Sequence, residues 1–228
     1  MNTASFHQQL VNGTAAENAA FRAIPVVTET LANGAERSLY LAFLTSAYHH
    51  VRHTCPLLGT ALSHCGRGDG ALRAGLIAYI DEEQGHEDWI LDDIAALGGD
   101  VRQVIEEQPP FAVRMMVAYA YYAIERISPY ALLGMVHVLE GLSAALATAA
   151  AGRISAALGV NAEAAGFRYL SSHGALDQDH VRLFADLLVA IDTPLRRSMV
   201  IQAARDFYRL YGDVLRDLGR NREPYHAV

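Results

Sequence analysis

The sequence is poor in the features that define several large classes of protein. Proline is sparse, with seven residues among 228, and few runs alternate β-branched with polar residues. Because a half-buried strand needs such alternation, a sheet-based fold is not expected. Apolar residues make up 52% of the chain, with Ala, Leu and Val prominent. This excludes a disordered chain and is typical of a helix bundle.

Cysteine is also scarce, and Cys55 and Cys65 are the only two thiols. They lie ten residues apart in one predicted helical stretch, which is roughly 15 Å at the rise of an α-helix and too far for a disulfide within it. Neither belongs to a Cys-x-x-Cys metal or redox motif. We expect both thiols to be reduced and buried.

Concentrated positive charge and a secretory signal are missing as well. The formal net charge is −7, and the 18 basic residues are scattered singly. A nucleic-acid partner is therefore not expected. The N-terminus begins with a polar stretch instead of the basic-then-apolar pattern of a signal peptide, which favours a cytoplasmic protein.

Apolar residues recur every three or four positions through most of the chain. This periodicity predicts one all-α domain over residues 1–228, built as a bundle of seven or eight helices. Residues 1–14 and 219–228 are expected to be frayed tails. The predicted helices cover about 15–33, 36–64, 71–97, a short stretch after 101, 111–127, 129–158, 162–191 and 194–218.

The predicted helix at 129–158 is apolar almost all round and long enough to span a bilayer. It carries His137 and Glu140 near its middle, however, and the sequence offers no second candidate span. We interpret it as a central buried helix and expect no membrane partner.

A row of metal-binding residue types lies in the predicted helix at 162–191. The segment reads HGALDQDH, and His173, Asp177 and His180 stand at positions i, i+4 and i+7. On a helix this spacing places two imidazoles and a carboxylate on one face. First-row transition metals bind neutral imidazole together with ionised carboxylate, so the row is typical of part of a metal site.

Glu83 and His86 are further candidate ligands. They have the Glu-x-x-His spacing that carboxylate-bridged di-iron bundles use on a helix. By itself the motif is weak, since about one such spacing is expected by chance in this composition. Gly85 lies directly before His86, and because glycine inside a helix costs roughly 1 kcal/mol relative to alanine, it indicates close approach or a local distortion.

Glu140 lies within the apolar helix, where an ionised carboxylate must be paired, protonated or bound to metal. Metal is the most economical explanation, and pairing with Arg126 is the alternative. His137 is interpreted as a satisfied core histidine, or else as an outer partner of Glu140. The three predicted helices together supply three imidazoles and three carboxylates, which suits two iron or manganese ions and is poor for structural zinc.

With these residues in this order, the chain resembles the haem-oxygenase-like di-iron oxidases, relatives of the TenA thiaminases and of the pyrroloquinoline-quinone synthases. The resemblance covers most of the chain and is most specific in the His-x-x-x-Asp-x-x-His row. It implies a bundle of seven or eight helices in which two irons are held by Glu83, His86, Glu140, His173, Asp177 and His180. Some members carry the first carboxylate seven residues before the His, where this chain has Tyr79, so Glu83 is the candidate and Glu82 the fallback.

The resemblance also implies an O2-dependent oxidoreductase with two irons, or manganese, acting on a small organic substrate such as an amino acid, an amine or a fatty acid. A metal-free TenA-like hydrolase or a cofactorless oxidase on the same fold is the alternative. The hydrolase would need Cys55 or Cys65 as its nucleophile, where the resemblance places none. A non-catalytic metal-binding or interaction protein is the second alternative. A homodimer through outer helices is common for bundles of this kind.

The expected substrate pocket is the least defined part of the site. Tyr48, Arg52 and His53 in the second predicted helix, with Tyr119 in the fifth, are candidates to bind a polar part of the substrate. The first three could equally form a solvated or interhelical polar patch. An aromatic residue at helical spacing, such as Tyr119, is otherwise a core residue.

Overall fold

The computed structural model describes residues 5–161, 165–189, 191 and 193–220, apart from the side chains of residues 173–183. Within those ranges the chain is almost entirely helical and contains no strand, which confirms the predicted all-α fold. The described α-helices are α1 (Phe6–Gly13), α2 (Ala15–Arg22), α3 (Pro25–Asn33), α4 (Arg37–Val51), α5 (Thr54–Ser63), α6 (Gly70–Glu83), α7 (His86–Ala96), α8 (Val101–Glu106), α9 (Phe111–Tyr122), α10 (Leu132–Leu158), α11 (Arg168–Val189) and α12 (Pro194–Arg220). A π-helical turn (Ala123–Ile127) and a 3₁₀ turn (Pro129–Ala131) connect α9 to α10.

Three of the predicted long helices are each divided into two. The predicted helix at 15–33 is α2 and α3, because Pro25 takes the first position of α3, where its missing N–H is not needed. The predicted helix at 36–64 is divided between Arg52 and His53 into α4 and α5. The predicted helix at 71–97 is divided at Gly85, whose φ of +83° is left-handed. The expected distortion at Gly85 is thus confirmed.

The N-terminal segment also differs from the prediction. The Ser5 hydroxyl accepts a hydrogen bond from the N–H of Gln8 at 3.2 Å and caps α1. Phe6 and Leu10 of α1 are buried in the core. Residues 6–13 are therefore a packed helix and not a frayed tail. At the other end of the chain, α12 continues to Arg220, two residues beyond the predicted helix end.

The helix α10 is the central element of the bundle and packs against α3, α11 and α12. At Gly134 a Cβ would lie only 2.5 Å from the backbone nitrogen of Ala204, so glycine lets α10 and α12 approach closely. The first turns of α10 are buried nearly all round, but further along the helix an exposed strip is formed by Ala144, Ala145, Thr148 and Ala149. By length and composition alone Pro129–Leu158 could cross a membrane, and half of its most apolar window is buried inside the bundle.

His137 of α10 is a satisfied core histidine, as interpreted from the sequence. Its Nε2 lies 3.3 Å from the hydroxyl oxygen of Thr14, and its ring packs near those of Phe184 and Tyr208. Burial lowers its pKa to about 4, so the imidazole is neutral at physiological pH.

Candidate metal centre

The best defined part of the candidate site is a buried carboxylate and imidazole pair. Nδ1 of His86 lies 3.1 Å from Oε2 of Glu83, and the two residues are only 3% and 5% exposed. Glu83 is the last residue of α6 and His86 the first of α7. The two side chains therefore meet across the turn at Gly85, and not along one continuous helix as the spacing suggested.

The turn also separates Glu83 from its neighbour Glu82. Glu83 points into the core, whereas Glu82 is exposed. Because a buried metal needs a buried ligand, this difference favours Glu83 over the fallback Glu82 as the first carboxylate.

Glu83 and Glu140 line one cavity of about 200 Å³ whose wall is mainly apolar. Tyr79 and Met135 line it as well. Arg126, the arginine named as the alternative partner of Glu140, is exposed on the π-helical turn. The structure thus brings the two predicted carboxylate ligands from α6 and α10 to the same space.

The helix α11 borders this region. It packs against α6, α7 and α10, which carry Glu83, His86 and Glu140 respectively. The predicted row falls within α11, but its side chains lie outside the described residues. Among the side chains that are described, no group of three or more His, Cys, Asp or Glu is close enough to hold a metal ion. The ligand roles of the row remain predictions.

Asp93 of α7 fixes the start of α11, a role that sequence reasoning missed. Its carboxylate accepts hydrogen bonds from the backbone N–H groups of Gly166, Arg168 and Tyr169 at 3.1, 2.9 and 2.8 Å. The residue is 1% exposed. Asp93 thereby caps α11 from a neighbouring helix, seven residues along α7 from His86 and so on a similar face.

Glu83 and His86 suit iron in their donor chemistry and in their burial. Two ligand atoms bound at about 2.1 Å to one metal, at right angles, are about 3.0 Å apart, close to the observed separation of the Glu83 and His86 atoms. Carboxylate with imidazole is the donor set of non-haem iron and manganese sites. A cation would also offset the cost of burying the Glu83 carboxylate.

The predicted substrate residues lie elsewhere. The guanidinium of Arg52 stacks over the ring of Tyr48 at 5.6 Å, and the Tyr119 hydroxyl donates a hydrogen bond to Asp206 at 2.6 Å. None of these residues, nor His53, is among the described residues that line the cavity.

His50 is a cavity residue that the sequence reasoning did not single out. It is 3% exposed, and its ring meets that of Tyr211 edge-on at 5.8 Å. Phe43, which also lines the cavity, lies seven residues earlier on α4 and so on a similar face. The seven-residue spacing from Phe43 could have distinguished His50 from His49 and His53 as the histidine that faces the cavity.

The two cysteines are free, as expected, but each is only half-buried. Burial raises the pKa of both thiols. The negative charge of Glu87 raises the pKa of Cys55 further, and that of Asp69 does the same for Cys65. A raised pKa reduces the thiolate fraction, so neither is activated as a nucleophile.

The architecture is that of the heme oxygenase-like helical proteins. A domain of unknown function with this fold from Shewanella denitrificans superposes with a TM-score of 0.86 at 19% identity, covering 96% of this chain and 94% of that one. A TenA homolog from Pseudomonas syringae pv. tomato gives 0.79 at 13% identity, covering 94% and 93%. Heme oxygenase-1 from the cyanobacterium Synechocystis, in complex with heme, gives 0.74 at 13% identity, covering 96% and 94%.

The sequence places the chain more narrowly within this class. A family model described as an iron-containing redox enzyme matches residues 41–212, and the chain belongs to that family. The matched range includes all six predicted metal ligands. Among curated proteins, none matches the sequence.

Proposed function

We propose that the protein is an O2-activating oxidase or oxygenase with two non-haem irons, acting on a small organic substrate. One observation supports this proposal above the others. Glu83, which is hydrogen-bonded to the buried His86, lines the same mainly apolar cavity as Glu140. Membership of an iron-containing redox family supports iron as the metal. Manganese would bind the same donors nearly as well.

The metal would be held by Glu83, His86, Glu140, His173, Asp177 and His180. When bound, ferrous iron supplies the electrons that reduce O2. The apolar wall of the cavity would keep water away from the reacting groups. Asp93, by holding the first turn of α11, would position the helix that carries the last three ligands.

The competing functions receive less support from the same residues. A TenA-like hydrolase needs an activated cysteine, and the pKa values of Cys55 and Cys65 are both raised. A cofactorless oxidase needs a cationic pocket for an anionic substrate, and no arginine is among the described residues that line the cavity. A non-catalytic iron-binding protein would share the ligands and differ only in its reaction with O2.

The test is metal content and O2 consumption of the full chain, purified without O2 and reconstituted with ferrous iron. We expect about two irons per chain, and iron affinity at least about tenfold weaker in Glu83→Gln, Glu140→Ala and His173→Ala. The matched control is Glu82→Gln, which changes the exposed neighbour of Glu83 in the same way and should leave iron binding intact.

Two results would count against the proposal. A chain that binds no stoichiometric metal, with variants as stable as the wild type, refutes the di-iron site and returns attention to a hydrolase. A chain that binds iron but consumes no O2 with any substrate supports the non-catalytic alternative.

A further inference from the structure

The imidazole of His86 is stacked on an indole. The ring centroids of His86 and Trp89 lie 4.1 Å apart, with 33° between the ring planes. His86 is buried, whereas Trp89 is half-buried and is the only tryptophan in the sequence. The χ2 torsion of histidine is otherwise broad, so an adjacent flat ring restricts the plane that the imidazole can adopt.

Trp89 is in turn held by the start of α11. The guanidinium carbon of Arg168 lies 4.6 Å from the centroid of the Trp89 ring, within the range of a cation–π contact. Arg168 is the first residue of α11, and its backbone N–H donates a hydrogen bond to Asp93. Asp93 lies four residues after Trp89, and so on a similar face of α7. The helix α7 therefore fixes both the backbone and the side chain of Arg168.

The plane of the His86 ring decides where that residue can bind a metal ion. The lone pair of an imidazole nitrogen lies in the plane of the ring, so a bound cation must lie close to that plane. Nδ1 of His86 is 3.1 Å from Oε2 of Glu83, a separation that suits one cation bound to both atoms. A ring already held in this plane loses less conformational freedom when the cation binds, which strengthens binding.

We propose that Trp89 and Arg168 are positioning residues for the metal site: Trp89 holds the plane of the His86 imidazole, and Arg168 holds Trp89. The metal rests on the proposed function, whereas the stack is a contact of the protein itself. Loss of an outer partner of a metal ligand weakens metal binding roughly 10- to 100-fold, and this sets the scale expected for Trp89.

The test is the ferrous-iron affinity of the full chain without O2, measured by competition with a chromogenic chelator. Trp89→Leu should bind iron at least about tenfold more weakly, because leucine fills much of the space but offers no flat face. Trp89→Phe keeps an aromatic face and should stay within about threefold of the wild type. A tryptophan with a packing role alone would lower the stability in urea and leave the iron affinity of the folded protein unchanged.

Arg168→Gln tests the outer contact, and it keeps the proposal testable if Trp89→Leu does not fold. The side chain is 53% exposed, and the backbone N–H that bonds to Asp93 is retained. We expect about threefold weaker iron binding. The matched control is Arg114→Gln, which removes a guanidinium lying 5.6 Å from the ring centroid of Phe111 on α9 and should leave iron affinity unchanged.

The emission of Trp89 reports where the iron binds. Because the indole is stacked on His86, iron bound by that imidazole should quench the emission in proportion to occupancy. Wild-type affinity in Trp89→Leu, or equal effects of Arg168→Gln and Arg114→Gln, would overturn this inference and leave the di-iron site standing. A wild-type chain that binds no iron, or binds it without quenching, would refute both.

Discussion

Replacing Asp93 by alanine tests the link between α7 and the helix that carries the predicted metal row. The substitution removes a carboxylate that accepts three backbone hydrogen bonds at the start of α11. We expect the variant to lose global stability and to open α11 first. The structure permits an estimate of the size of this loss.

Hydrogen bonds to a charged group contribute roughly 1.5 to 3 kcal/mol each, and loss of a helix N-cap costs about 0.5 to 2 kcal/mol. The three donors are not equivalent, because the N–H of Gly166 is buried while those of Arg168 and Tyr169 are part-buried and can bind water instead. Burial also raises the pKa of Asp93 despite these three hydrogen bonds, so desolvation of the carboxylate offsets part of their contribution. We therefore expect a loss of about 2 to 4 kcal/mol for Asp93→Ala, and about half of that for Asp93→Asn, whose amide oxygen still accepts.

Urea unfolding followed by circular dichroism gives the free energy of unfolding, and hydrogen exchange reports opening at the start of α11. The matched control is Asp92→Ala. Asp92 is the adjacent aspartate, 70% exposed and 3.6 Å from the partly exposed Arg168, so its removal should change stability by less than about 1 kcal/mol. The reasoning is refuted if Asp93→Ala is no less stable than Asp92→Ala, or if exchange in α11 is unchanged.

Three further predictions concern stability. The pKa of His137, lowered to about 4 by burial, lies below that of the unfolded chain, so stability present above pH 6.5 is lost as the pH falls towards 4, by about 3 kcal/mol in all. His137→Leu should remove this part of the acid sensitivity in urea unfolding at several pH values, and an unchanged pH profile would contradict it. Gly134→Ala should cost about 1 to 3 kcal/mol by overpacking, whereas Gly152→Ala, in open space on the same helix, should stabilise by up to about 1 kcal/mol. If both glycine substitutions shift the melting temperature in the same direction, the close approach of α10 and α12 at Gly134 has been misjudged. Burial alone would raise the pKa of Asp69, but hydrogen bonds and the Arg196 guanidinium at 2.6 Å outweigh it and hold the pKa low, so its contribution is present above pH 4 and lost as the pH falls through the lowered pKa. Asp69→Ala should therefore cost about 2 to 3 kcal/mol near neutral pH and much less in acid, and equal losses at both would refute this assignment.

Helical periodicity predicts the overall fold well because nearly every helix buries one apolar face. The order of the helices from α4 to α12 follows the predicted order, and the central position of α10 follows from its composition. The break at Arg52–His53 is missed by helical periodicity, although the sequence contains a local cause. Pro56, in the first turn of α5, lies four residues after Arg52. It has no N–H to bond the Arg52 carbonyl, and its ring would clash with that carbonyl in a continuous helix. The direction that α5 takes after the break depends on packing against other helices, which the local sequence does not contain.

The candidate site is predictable to the extent that it depends on residue type. Glu83, His86 and Glu140 could be selected because each combines a metal-binding group with an apolar context. Asp93 could not, since a carboxylate on α7 has no local reason to cap a helix more than seventy residues away. Likewise, the lining of the cavity that Glu83 and Glu140 share depends on which faces of α3, α4, α10 and α12 meet, and this is a property of tertiary packing.

The turn at Gly85 means that the two donor atoms of Glu83 and His86 belong to two helices joined by only two residues, Gln84 and the left-handed Gly85. A cation bound to both side chains would cross-link α6 and α7. The affinity for the ion and the angle between the two helices would therefore be thermodynamically linked. The space around Gly85 is open, with the nearest atom to a Cβ 4.0 Å away, so the cost of any other residue there is conformational. A substitution that changes the φ angle of Gly85 would therefore alter the affinity for the ion without changing either donor residue.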